Sequence, residues 1–125
     1  MIVKRVLVSD DNVNRVAYYQ VLMVLGAVVV WAPTALETAR VLQEGEPFDL
    51  VALDHDFRAA DCIADPEEST GRGTAKVIAA LPPEKRPPIV LLHSANAAGR
   101  EAMAAILRSA GIEPVVAPLP NLFPP

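Results

Sequence analysis

The chain has 125 residues, 52% of them hydrophobic, and a formal net charge of −4. That length predicts one domain, large enough to bury about two-thirds of its unfolded surface without a disulfide or metal staple. The single cysteine, Cys62, excludes a disulfide framework and a cysteine-rich zinc site and fits the reducing cytoplasm; the acidic balance argues against a sequence-independent nucleic-acid binder.

Taken in order, Ile2 to Val8 reads as a strand that runs into Ser9-Asp10-Asp11. Lys4 and Arg5 fall inside this apolar run, which lacks the layout of a signal peptide. Val13 to Leu25 reads as a helix, stopped by Gly26 as its C-cap. No charge occurs from Val16 to Leu36, a length that can span a bilayer. Gly26 and Pro33 interrupt it, however, and Val28-Val29-Val30 is strand-like, so the stretch divides into helix, turn and buried strand. The expected protein is soluble, with no membrane contact.

Ala27 to Trp31 is the second strand, and Thr34, as N-cap, opens a helix to Gln43. Asp49 to Leu53 is the third strand and leads into Asp54-His55-Asp56. A polar loop from Arg58 to Arg72 follows, of a length that is often functional. The pattern then predicts a helix from Thr74 to Leu81, a proline-flanked segment from Pro82 to Pro88, and a strand from Ile89 to Leu92. A helix from Ala98 to Ala110 and a short strand at Val115-Val116 come last, before a tail too rich in proline to be helical. Strands alternating with helices imply an α/β fold: a doubly wound, five-stranded parallel sheet in the flavodoxin-like order 2-1-3-4-5.

In such a sheet, function gathers beyond the carboxyl ends of the strands. Those ends carry Asp10 and Asp11, then Asp54, His55 and Asp56, then His93, Ser94 and Asn96. The first and third strands are neighbours in this order, so several carboxylates converge. Such a cluster needs a cation, and Mg²⁺, a hard ion that keeps waters for a phosphate to replace, suits it. Plainer roles exist for each residue: Asp10 or Asp11 as a helix cap, Asp54 and Asp56 as turn formers, Ser94 as the cap of the next helix. Both histidines of the chain fall at strand ends beside these acids, and that shared placement favours a site. Side chains alternate along a strand, so His55 and His93 can also turn from Asp54 and Ser94 and meet each other beneath the site.

The segments Val6-Leu7-Val8-Ser9-Asp10-Asp11-Asn12, Phe48-Asp49-Leu50-Val51-Ala52-Leu53-Asp54 and Ile89-Val90-Leu91-Leu92-His93-Ser94-Ala95 resemble the receiver domain of bacterial response regulators. The resemblance implies that Asp10 and Asp11 hold Mg²⁺, that Asp54 is at the phospho-acceptor position, that Ser94 contacts the phosphoryl group, and that the backbone carbonyl of Asp56 completes the metal shell. Two features depart from it. Ala117-Pro118 stands where receivers have lysine and proline, and the proline-rich tail replaces their last helix. A receiver-like domain is thus expected over residues 1–118, with a tail over 119–125.

Leu53-Asp54-His55-Asp56-Phe57, the long loop to Thr70-Gly71, and His93-Ser94-Ala95-Asn96-Ala97-Ala98-Gly99-Arg100-Glu101-Ala102-Met103 are similar to one subgroup, the cyclic-phosphate-processing receiver domains. This implies a metal-dependent phosphoesterase. Asp54 would be metal ligand or nucleophile, His93 or His55 the general acid or base, and Ser94, Asn96 and Arg100 the phosphate contacts. The substrate would be a phosphate-bearing small molecule or a nucleic-acid end. A signalling receiver phosphorylated on Asp54 by a partner kinase, and a degenerate receiver that only binds proteins, are the alternatives. The helix from Val13 to Leu25 is apolar around most of its circumference, which calls for burial on more than one side. A homodimer through this helix is expected, with folding back of the tail as the alternative cover.

Overall fold

The structure is a computed structural model that describes residues 3–56 and 70–117. Its strands are β1 (Arg5–Ser9), β2 (Val28–Ala32), β3 (Leu50–Leu53), β4 (Ile89–Leu92) and β5 (Val115–Val116). Its helices are α1 (Val13–Gln20), α2 (Ala35–Glu44), α3 (Gly71–Ala80) and α4 (Ala97–Ser109), with 3-10 turns at Val21–Leu25 and Pro83–Lys85. All strand pairs are parallel, and the sheet order is β2-β1-β3-β4-β5, as the alternation of the sequence requires.

Side-chain parity divides the strands between two cores. Leu7, Val51, Leu53, Val90 and Leu92 face one side, where α2, α3 and α4 lie side by side and contribute Leu42, Ile78, Met103 and Leu107. Val6, Val8 and Ala52 face the other, packed against Val16 and Tyr19 of α1. On this second side Leu50 and Leu91 are only partly buried.

Each helix opens on a side-chain cap that takes up one of its free backbone N–H groups. Asn12 accepts from the Asn14 N–H, Thr34 from Glu37, Thr70 from Arg72 and Asn96 from Gly99. Thr34 is the cap read from the sequence. The first helix is capped by Asn12, because the Asp10 carboxylate is engaged inside the sheet edge, and the last by Asn96 rather than Ser94. With Thr70 as cap, α3 starts three residues before the expected Thr74 and includes Gly71 and Arg72 from the expected loop. The loop from residue 58 to 69, Cys62 included, lies outside the described residues, as does the tail from Pro118.

The expected helix from Val13 to Leu25 is α-helical only to Gln20 and then tightens into the 3-10 turn. Gly26 closes it at φ +90°, in the left-handed region that glycine enters freely, and the Ala27 N–H returns to the Leu22 carbonyl. Of this segment Val16 and Tyr19 are buried, whereas Tyr18, Val21, Met23, Val24 and Leu25 are exposed. The apolar circumference is real, but among the described residues only one side of it is covered. No helix among these residues is long and apolar enough to cross a membrane.

Candidate functional site

Strand register builds the site. Ser9 pairs with Leu53, and Leu53 with Leu92, so the next residues, Asp10, Asp54 and His93, form a row across the ends of β1, β3 and β4. Each is fixed by one further backbone bond: Asp10 N–H to Ala32 O at 3.2 Å, Asp54 N–H to Ser9 O at 2.9 Å and His93 N–H to Leu53 O at 3.1 Å. Equal parity puts all three on the α1 side of the sheet. All are buried, and their ligand atoms lie within 4.8 Å of one another.

The Asp10 carboxylate is fully engaged. Oδ1 accepts from the Asn12 N–H at 2.8 Å and from Arg15 Nη2 at 3.0 Å; Oδ2 accepts from Arg15 Nε at 2.6 Å and His93 Nε2 at 2.8 Å. Arg15 Nη2 also reaches Asp54 Oδ2 at 3.4 Å. The guanidinium thus bridges the two acids. One turn along α1, the Tyr19 hydroxyl lies 2.7 Å from His93 Nδ1, and the indole N–H of Trp31 donates to the Asp10 carbonyl at 2.7 Å. With Nε2 donating to a carboxylate, Nδ1 is the acceptor for the Tyr19 hydroxyl, and the chain Tyr19–His93–Asp10–Arg15–Asp54 is satisfied throughout.

The two acids titrate apart. Burial raises the Asp10 carboxyl, but hydrogen bonds from His93, Arg15 and Asn12 outweigh it, and its pKa lies below the ordinary value. Asp54 has fewer donors: burial and then the Asp10 charge push it up to about 6. Burial likewise holds the Tyr19 phenol well above its usual range.

His55 has the opposite parity and faces the α3–α4 side, so the two histidines do not meet. Arg72 Nε donates to His55 Nε2 at 3.2 Å, and since a guanidinium only donates, the ring proton is on Nδ1, 2.9 Å from Asp56 Oδ1. Asn96 Nδ2 donates to Asp56 Oδ2 at 3.1 Å while its Oδ1 caps α4. Burial raises the Asp56 carboxyl, and these bonds from His55 and Asn96 bring it below its ordinary value. The N-termini of α3 and α4 approach the segment that follows β3 so closely that a Cβ on Gly71 would overlap the Asp54 carbonyl, and one on Gly99 the His55 ring.

Of the residues singled out in the sequence, Asp10, Asp54 and His93 therefore form one cluster, and His55, Asp56 and Asn96 a second. Ser94 Oγ accepts from the Asn96 N–H at 3.1 Å, and its carbonyl accepts from Arg100 Nη1 at 2.6 Å. Asp11 is half-buried, and its charge acts on Arg15. Arg15, Tyr19, Trp31 and Arg72 were not visible as site residues. For Arg15 a signal existed, since it is the sole charge in the segment from Val13 to Leu25.

Residues 5–109 match the profile of the family described as the cyclic-phosphate-processing receiver domain. The chain belongs to that family. No curated protein matches this receiver domain. Among solved structures, the CheY-like receiver domain protein of Methanospirillum hungatei superposes with a TM-score of 0.65 at 20% identity, covering 95% of this chain and 85% of its own. The response regulator TrrA of Thermotoga maritima, in complex with Mg²⁺ and BeF, gives 0.63 at 23% identity over 95% and 90%. The receiver domain of a Pseudomonas aeruginosa sensor histidine kinase, with magnesium in its active-site cleft, gives 0.63 at 21% over 93% and 85%. At such identities the likeness is one of fold.

The residues of this receiver domain fit a hard divalent cation. Asp10 and Asp54 present carboxylate oxygens to one gap, and a cation, the Arg15 guanidinium, already stands between them. When bound, such an ion neutralises the acids and polarises phosphoryl oxygens. The surrounding side chains do the rest: Asn12 and Trp31 fix Asp10 through its carboxylate and carbonyl, and Tyr19 sets the His93 ring.

Proposed function

We propose that this receiver domain takes a phosphoryl group at the acidic edge of its sheet, with Mg²⁺ between Asp10 and Asp54, and processes cyclic phosphate or other phosphoester ends. The observation that carries this reading is His93, an acid–base group hydrogen-bonded to Asp10 and steadied by Tyr19 within the cluster. His93 relays a proton, Asp11 and the Asp56 carbonyl complete the metal shell, and Ser94, Asn96 and Arg100 contact the phosphate, with His55 as a second acid–base group. The test is ³¹P NMR of a 2′,3′-cyclic nucleotide incubated with the protein and Mg²⁺. Opening of the ring to a monoester is expected. His93→Ala should slow it by about 10²–10⁴-fold, the usual contribution of such a group; no turnover by the wild-type protein would remove the reading.

The second reading is phosphorylation of Asp54 by a partner kinase. Similarity to a Burkholderia pseudomallei response regulator with a phosphorylated aspartic acid, 22% identical at a TM-score of 0.64, supports it; alanine at position 117, where receivers have lysine, weighs against it. Intact mass after treatment with Mg²⁺ and a small acyl phosphate separates the two, since a stable adduct lost in Asp54→Ala favours signalling. Without Mg²⁺ binding, the domain is an interaction module. In either role we expect a homodimer through the exposed apolar residues of the segment from Val13 to Leu25.

A further inference from the structure

We propose that Arg15 is a built-in competitor for the cation site, so that its guanidinium and a divalent ion occupy the gap between Asp10 and Asp54 in turn. This rests on the reading that the pocket takes a divalent cation. Arg15 Nη2 lies 3.0 Å from Asp10 Oδ1 and 3.4 Å from Asp54 Oδ2, while its Nε holds the other oxygen of Asp10. An ion bound to both carboxylates, at roughly 2.1 Å from each oxygen, would lie in the space that Nη2 fills, and two positive charges at that range repel. They exclude each other.

The surroundings decide which partner moves. The side chains of Asp10 and Asp54 are 0% and 6% exposed, whereas that of Arg15 is 20% exposed and therefore has a path to solvent. Asp10 is further fixed by Asn12 and His93. The guanidinium swings out while the acids stay. In the metal-free state it relieves the repulsion between the acids, and each ion that binds must first displace it. Metal affinity is accordingly set below what the carboxylates alone would give.

The test is binding of Mn²⁺, an oxygen-seeking stand-in for Mg²⁺, followed by EPR of the free ion. Arg15→Gln should lower Kd at least tenfold. Arg40→Gln, the same charge change at an exposed position on α2, should leave Kd at the wild-type value, and Asp54→Asn should weaken binding in wild type and Arg15→Gln alike. Equal or weaker binding by Arg15→Gln overturns the inference while the metal reading stands; no binding by either protein overturns both. Should Arg15→Gln be unfolded without metal, the shift of Tm on adding Mn²⁺ replaces the titration. It should exceed the wild-type shift, and a smaller one overturns the inference.

Discussion

Asp54 is the residue whose burial works against its charge. Its pKa rises from 3.8 to about 6, through burial first and the Asp10 charge second. The folded chain therefore holds this proton more tightly than the unfolded chain between those values. The stability Asp54 contributes is fully present below its unfolded pKa and is lost as pH rises through 6. At pH 8 in chelator, Asp54→Asn should be more stable than wild type by about 1–3 kcal/mol, with the gain shrinking toward pH 4; urea unfolding at the two pH values checks the sign. Asp10 behaves in the opposite sense, since its lowered pKa gives stability that fades as pH falls through it. Tyr19→Phe removes the hydroxyl that meets His93 Nδ1. It should destabilise the fold by about 1–3 kcal/mol, the penalty for an unpaired buried group, measured in the same way.

At the scale of elements, parity and register decide what the sequence displays. The acids and histidines at strand ends were legible because apolar runs stop where polar residues start. Which histidine joins which acid was not, because that depends on Ser9 facing Leu53 and Leu53 facing Leu92, a pairing across distant segments. The ties of Arg15 to Asp54 and of Tyr19 to His93 were hidden for the same reason: the partners are 39 and 74 residues away, and within their own helix the two residues read as a lone charge and one apolar residue. Cap positions slipped by a few residues where several Asn, Asp, Ser or Thr residues compete, as at Asp10 to Asn12 and Ser94 to Asn96. The approach of α4 to β3 makes a further prediction. Glycine to alanine within a helix ordinarily helps by up to about 1 kcal/mol. At Gly99 the added methyl would overlap His55, so Gly99→Ala should instead lower stability, by about 1–3 kcal/mol, as overpacking does. A thermal or urea midpoint at or above wild type would contradict this contact.

Among the described residues the two sides of the sheet are covered unequally. Three helices cover one side of the sheet and, among the described residues, α1 alone covers the other, with Val24 85% and Leu25 80% exposed at its end. The fold class and strand order were readable because apolar strands alternate with helices throughout; β2, expected to be buried, is an edge strand with Val28 and Trp31 exposed. An apolar strip left exposed among the described residues was to be expected too, because an apolar surface all round a helix needs more than one neighbour. Sedimentation at high micromolar concentration should give a dimer mass, and Val24→Lys with Leu25→Lys should return it to the monomer; a wild-type monomer would argue against this surface as a self-interface.

The bond between Tyr19 and His93 ties this thinly covered side to the centre of the sheet. In amide hydrogen exchange the protons of α1 should be released at a lower opening free energy than those of α3 or α4, because fewer neighbours hold the helix down. A ligand that locks the row of Asp10, Asp54 and His93 would then slow exchange along the whole of α1, including turns that never touch it, so that occupancy of a few buried atoms is written into the breathing of an entire face.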